Sequence, residues 1–371
     1  MAEEKKVKTA KPKKLADPSM VSIDAATQEM VARAQELGVE TIFDRAVTMK
    51  ACNIGAQGTC CKNCSMGPCR LPLPKSGIEG EDTRKGLCGA TANTIAARNF
   101  IRMIAGGAAA HSDHGRCVAE VFLSAARKES DSYKIKDVDK LLQIAPHLGV
   151  ETMVEVDGKK VDRDLDEIAL EVAETALNEW GKPVGELLYM KRAPEVLYEK
   201  WKKNGVLPRN IDREIVEIMH RTHMGVDQDF RNLIKQGTRA ALADGWGGSM
   251  LATDLQDVLF GTPYPVQSEA NLGVMKEDCV NIIVHGHEPV LSEVIVAVAQ
   301  SQEMVDYAKS KGAKGIQLGG ICCTANEILQ RHGVPPVGTF LQQELAIITG
   351  ACDAMVVDIQ CIFQNLANVA K

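Results

Sequence analysis

No run of eighteen or more apolar residues occurs in these 371 residues, so no segment is expected to span a bilayer as a helix. A positive surplus is missing too. The chain sets 43 Lys and Arg against 49 Asp and Glu, a formal net charge of −6, and no nucleic acid is expected as a partner. The N-terminus lacks the apolar core of a secretory signal, so the chain is expected in the cytoplasm. No repeat or low-complexity stretch occurs beyond the first fourteen residues, "MAEEKKVKTAKPKK", whose six lysines and few apolar residues predict a solvated tail. What remains is an ordinary globular composition, 45% hydrophobic and 25% charged, with one excess: twelve cysteines. Cytosolic thiols stay reduced, and closely spaced ones there bind metal or do chemistry more often than they pair as disulfides.

The pattern along the chain predicts an α + α/β protein. Residues 1–42 read as the tail and a first helix, "SIDAATQEMVARAQEL", which starts at Ser/Asp and stops at Gly38. Residues 43–265 read as a mostly helical domain carrying a cysteine loop. Within it 90–127 is strongly helical in composition, with an interruption expected around "AGGAAAHSDHG", and further helices are expected from about Asp137 to Leu242. After "FGTPYPVQ" the period changes. Residues 266–371 alternate apolar strands ("VNIIVHGH", "GIQLGGICC", "AMVVDIQC") with helical stretches, the pattern of a Rossmann-like parallel sheet.

Six cysteines are spaced C-x7-C-C-x2-C-x4-C-x18-C. A C-x2-C pair brings two thiolates to one centre, Gly67 and Pro68 turn the chain, and Cys69 and Cys88 complete the set, so Cys61, Cys64, Cys69 and Cys88 read as one 4Fe-4S site. Zinc is the rival, since four-cysteine zinc sites also use C-x2-C, but it leaves Cys52 and Cys60 over. Cys60 adjoins Cys61, and adjacent side chains tend to diverge toward different centres. Two thiolates per chain complete a four-cysteine site if a homodimer supplies the same pair twice, which predicts a second cluster shared on the dimer axis.

A second constellation lies at strand ends. His285 and His287 close the first strand, Cys322 and Cys323 the second, and Cys361 the third, with about one crossover between each. Parallel sheets bind ligands outside the carboxyl ends of their strands, so these soft and borderline donors invite a transition metal. Taken singly, each reads better as a buried thiol or a hydrogen-bonded histidine, and only the set points to the metal. In "AHSDHGRC", His111, His114 and Cys117 recur every three residues; on a helix they would climb one face by ~4.5 Å per step, as a proton relay requires, and otherwise they are polar residues at a helix break.

Seven stretches resemble, in order, the catalytic subunit of the anaerobic nickel-iron carbon monoxide dehydrogenases. They are "CNIGAQGTCCKNCSMGPCR", "GLCGATANTIAARN", "AAAHSDHGR", "ADGWGGSMLATDLQDVLFGTP", "VHGHEPVLSE", "GICCTANEILQRHG" and "VVDIQC". The resemblance implies that Cys61, Cys64, Cys69 and Cys88 hold one 4Fe-4S cluster per subunit, and that Cys52 and Cys60 of both subunits hold the shared one. It implies that His287, Cys323 and Cys361 ligate a nickel-iron-sulfur catalytic cluster with Cys322 beside it. His111 matches the acid/base histidine, His114 the next step of the proton route, and Asp244 a candidate residue behind the ligands. The reaction implied is CO + H2O to CO2, two protons and two electrons, the electrons passing to a ferredoxin-like acceptor; an acetyl-CoA synthase subunit is a further candidate partner. A hybrid-cluster protein of the hydroxylamine reductase type and a nonenzymatic iron-sulfur electron-transfer fragment are the rival readings. Cys117 and Glu120 stand where the family continues its histidines, so the resemblance traces the proton route only to His114. The family also carries a second Rossmann-like domain, with further cluster cysteines and a catalytic lysine, beyond the point matched by Lys371. A chain of this length alone is therefore expected to hold the N-terminal clusters, to lack a stable nickel centre and to show no appreciable CO oxidation.

Overall fold

Asp24 starts the first helix by accepting from the Thr27 N–H at 2.8 Å, and Gly38, with φ of 71°, follows its end. This helix, α1, runs Ala25–Glu36. The computed structural model describes residues 14–371, so all of the lysine-rich tail except Lys14 lies outside the described residues. The described residues divide into two compact units, one of residues up to Ala51 with 264–371 and one of residues 52–263.

The unit of residues 52–263 is built on one long helix, α2 (Ala92–Ala126), capped by the Thr91 hydroxyl on the Thr94 N–H. The interruption expected around "AGGAAAHSDHG" is not there: α2 runs unbroken for 35 residues. Gly106 and Gly107 each cost about 1 kcal/mol of helix propensity, but the alanines around them favour helix, and α2 buries one side along most of its length. Helices α3 (Leu165–Gly181), α4 (Ile211–Arg221), α5 (Phe230–Ala243) and α6 (Ala252–Phe260) follow. Ala97, Ile101 and Ala105 of α2 meet Ile218 of α4 and Leu233 and Ala240 of α5 in one core. One stretch expected to be helical is an antiparallel hairpin instead, Met153–Val156 with Lys159–Asp162. Asp157 and Gly158 at its tip both have positive φ, 52° and 74°, the turn that an Asp-Gly pair favours between twisted strands.

The other unit holds a four-stranded parallel sheet. Its strands are β1 (Val280–His285), β2 (Ile316–Ile321), β3 (Pro336–Gly338) and β4 (Ala354–Val357), in the spatial order β3-β2-β1-β4. β3 was not legible as a strand; it is three residues long and begins at a proline. Helices α7 (Pro289–Ala299), α8 (Gln302–Ser310), α9 (Cys322–His332) and α10 (Gln343–Ile348) complete the alternation. Successive strand residues point to opposite faces, so each face has its own core. Ile283 and Ile321 pack with Val31 of α1 and Leu345 of α10, whereas Val284 and Leu318 pack with Val296 of α7 and Ile328 of α9. Helices on both faces make the sheet doubly wound. The order 3-2-1-4 places the reversal of winding between β1 and β4, where such sheets leave a crevice at their carboxyl ends. Among the described residues no helix is long and apolar enough to cross a membrane.

Candidate metal centres

Four thiols ring one pocket in the unit of residues 52–263. Cys60–Cys61 pairs antiparallel with Cys69–Arg70, and the register sets Cys61 directly across from Cys69. Consecutive strand residues face opposite ways, so Cys61 turns into the pocket that Cys64, Cys69 and Cys88 also line, and Cys60 is not among its lining residues. Asn99 of α2 fixes this loop by donating to the carbonyls of Gly58 (2.7 Å) and Cys60 (3.0 Å). At Gly67 a side chain has no room, because a Cβ would stand 2.9 Å from the Cys61 carbonyl oxygen. The Ala90 N–H holds the Cys88 thiol below its ordinary pKa, with Arg98 adding to the effect against burial. Exposed Cys52 caps a short helix, where the Gly55 and Ile54 N–H groups likewise hold its thiol low. Among the described residues no three His, Cys, Asp or Glu side chains gather around a point suited to a single ion. Cys61, Cys64, Cys69 and Cys88 all line the one pocket, and in a 4Fe-4S cluster each thiolate binds a different iron.

The second site lies at the carboxyl end of the sheet. His287, Cys322, Cys323 and Cys361 line one cleft, with His287 Nε2 3.2 Å from Cys323 Sγ. Cys322 and Cys323 open α9 directly after β2, while Cys361 follows β4 by four residues. Three positions here, Cys322 (66°), Gln360 (65°) and Cys361 (59°), hold positive φ without being glycine, a cost that marks a shaped site. Burial first, then the neighbouring Cys361 thiol, pushes Cys322 up to about 12; burial and the same neighbour also raise Cys323. Such thiols become thiolates only beside a cation, so the donor set fits a soft transition metal.

Two residues that sequence reasoning passed over hold this cleft together. Asp358 accepts from the His287 N–H (2.6 Å), the Glu288 N–H (2.8 Å) and the Thr324 hydroxyl (3.3 Å), tying the ends of β1, β2 and β4 to one carboxylate. Gly286, with φ of 142°, lies against it, and a Cβ there would overlap the carboxylate. Gln343 of α10 accepts from the Phe363 N–H (2.9 Å), lies 3.1 Å from His285 Nε2 and donates to the Cys361 carbonyl (2.9 Å). His285 is thus wholly buried as a support, its pKa lowered by burial, while His287 faces the cleft. The signal for Asp358 was a carboxylate at a strand end, in "VVDIQC".

The third expected site is on α2. Because α2 is continuous, His111, His114 and Cys117 do share one side of a helix, and exposure rises from half-buried His111 to exposed Cys117. His111 Nδ1 stands 2.8 Å from Asp244 Oδ1 and 3.3 Å from Ser249 Oγ. Asp244 raises the His111 pKa, partly offset by burial. Asp244 opens a π-helical stretch, Asp244–Leu251, of the kind often found at functional sites. Gly115 of α2 lets the two approach: a Cβ there would stand 2.7 Å from the Gly248 carbonyl oxygen.

Helices on both faces of a parallel sheet, with histidine and cysteines at the strand ends and a four-thiol loop in the other unit, define a mixed helical and α/β protein suited to metal clusters. The chain belongs to the Prismane/CO dehydrogenase family, whose pattern matches residues 59–371. It is 52% identical over 350 residues to carbon monoxide dehydrogenase 1 of Methanosarcina acetivorans, covering 94% of this chain and 54% of that protein. It is 44% identical over 354 residues to the carbon monoxide dehydrogenase/acetyl-CoA synthase subunit beta of Moorella thermoacetica, covering 94% of this chain and 50% of that one. A solved nickel-free carbon monoxide dehydrogenase from Thermococcus sp. AM4 superimposes with a TM-score of 0.88 at 50% identity, over 96% of this chain and 55% of that one. The chain thus spans about half the length of the curated relatives it matches.

Proposed function

We propose that this chain is the cluster-bearing part of an anaerobic carbon monoxide dehydrogenase, catalysing reversible conversion of CO and water to CO2, two protons and two electrons. The observation that carries the reading is the strand-end cleft, where His287, Cys322, Cys323 and Cys361 come together beside the β1–β4 reversal. His287, Cys323 and Cys361 would hold a nickel-iron-sulfur group, with Cys322 beside it, and that group when bound would supply the redox chemistry at the carbon. Asp358 and Gly286 keep His287 oriented, and Gln343 holds the Cys361 backbone. His111 is the acid/base residue. Its Nδ1 is turned to Asp244, so the proton would be exchanged at Nε2, and the Asp244 carboxylate raises its pKa above the ordinary histidine value. His114 is the next step outward.

Cys61, Cys64, Cys69 and Cys88 would hold a 4Fe-4S cluster, and Cys52 with Cys60 one half of a cluster shared with a second copy of the chain. Electrons would leave for a ferredoxin-like acceptor, and an acetyl-CoA synthase subunit is the further partner, both in the cytoplasm. The test is anaerobic purification followed by iron, sulfide and nickel analysis and CO-dependent viologen reduction. Cluster iron in this chain, with nickel and CO-dependent turnover appearing only in a version extended to the full length of its relatives, supports the reading, whereas stoichiometric nickel and turnover from these 371 residues alone would show that the active site is misplaced. Iron without nickel, with hydroxylamine reduction in place of CO oxidation, would select the hybrid-cluster alternative.

A further inference from the structure

Arg98 is the largest wholly buried side chain among the described residues, 1% exposed, and it lines the four-cysteine pocket. Its oxygen partners are neutral, and the ionisable group it meets is the Cys88 thiol of that same pocket. Nη2 donates to the Asp227 carbonyl (3.2 Å) and to Gln228 Oε1 (3.4 Å), and Nε has no hydrogen-bond partner. Other deeply buried cations here have carboxylates: Lys140 meets Asp254 (2.6 Å) and Asp257 (3.2 Å), and Arg331 meets Glu327 (2.5 Å) and Glu293 (3.3 Å). A guanidinium stays charged wherever it sits, and a buried charge without a counter-charge is strongly disfavoured. The side chain therefore needs an anion that no carboxylate of the chain provides, and the pocket it lines is walled by thiols and by the apolar Ile95, Met66 and Met224.

We propose that Arg98 is the fixed counter-charge of the group bound by Cys61, Cys64, Cys69 and Cys88, and that it sets the potential at which that group accepts an electron. The inference rests on the reading of this pocket as a 4Fe-4S site. Four thiolates leave such a cluster with net negative charge, and reduction adds one electron without a proton. A buried cation stabilises the more negative, reduced form, and the low polarity of the walls leaves that attraction poorly screened.

The test is an EPR-monitored redox titration of the anaerobically purified protein with dithionite and viologen mediators, following the signal that Cys64→Ala removes. Wild-type protein with no such signal would overturn the cluster reading itself and leave Arg98 unexplained by it. With the signal present, Arg98→Gln should lower the reduced-to-oxidised ratio at least about tenfold at the wild-type midpoint, which is 59 mV for a one-electron couple. Arg98→Lys, which keeps the charge, should restore most of that ratio. Gln228→Glu offers a second route, because Gln228 is exposed and a carboxylate there would neutralise Arg98 in place. It should move the ratio in the same direction even if Arg98→Gln fails to fold. A cluster-loaded Gln228→Glu or Arg98→Gln protein with a ratio within twofold of wild type overturns the proposal. So does equal loss of the cluster from Arg98→Gln and Arg98→Lys with Gln228→Glu unchanged, since shape rather than charge would then be what matters.

Discussion

Gly286→Ala should be among the most damaging single-methyl changes in the sheet unit. The new Cβ would occupy the space of the Asp358 carboxylate, and the backbone there has a φ of 142°, which an alanine adopts only under strain. To make room, Asp358 must give up its bonds to the His287 and Glu288 N–H groups, now 2.6 and 2.8 Å long. Hydrogen bonds to a charged group contribute roughly 1.5–3 kcal/mol each, so losing two costs roughly 3–6 kcal/mol. The strained φ adds on the order of 1–3 kcal/mol, and relaxation of the loop recovers part of the total. A net destabilisation of at least about 4 kcal/mol is expected, large for a point change. Asp358→Asn keeps the bulk but weakens the acceptor and should cost only about 1–2 kcal/mol. Urea unfolding of both variants, with amide exchange read across residues 285–288, measures the difference. Gly286→Ala within about 1 kcal/mol of wild type, with exchange at His287 and Glu288 unchanged, would refute the argument that Asp358 fixes the strand ends.

Asp244→Asn should lower the His111 pKa, because the carboxylate is the largest cause of its upward shift. A raised folded-state pKa contributes stability that is complete below the unfolded value of about 6.5 and is lost as pH rises through the higher folded value. Imidazole NMR titration checks both the lowered pKa and the disappearance of that stability window in Asp244→Asn; an unmoved titration sinks the pairing. The double change of Cys52 and Cys60 to Ala should remove one 4Fe-4S cluster per dimer and weaken association, and unchanged iron content would count against a shared site. Cys64→Ala should leave the strand-end donors in place yet stop electron delivery to an external acceptor, and full dye-linked CO oxidation by a folded variant would contradict it.

Which side chains would come together was legible in the sequence where residue type and local spacing decide it. Cys61, Cys64, Cys69 and Cys88 stand out because clusters need thiolates whatever the packing, and the tight turn at Gly67 and Pro68 is written in adjacent residues. The parallel sheet was legible because strands buried on both faces read as apolar runs separated by helices. His287, Cys323 and Cys361 followed from those runs, since the carboxyl end of each strand could be located. Only the tertiary structure could decide the rest. Whether α2 breaks at its paired glycines depends on what the helix buries, and propensity alone pointed the wrong way. Asp358 serves a backbone 71 residues earlier in the chain, Gln343 a carbonyl 18 residues later, and Arg98 a pocket assembled from loops on either side of it. No local pattern marks such residues, because a buried charge or amide takes its meaning from partners that only folding brings within hydrogen-bond reach.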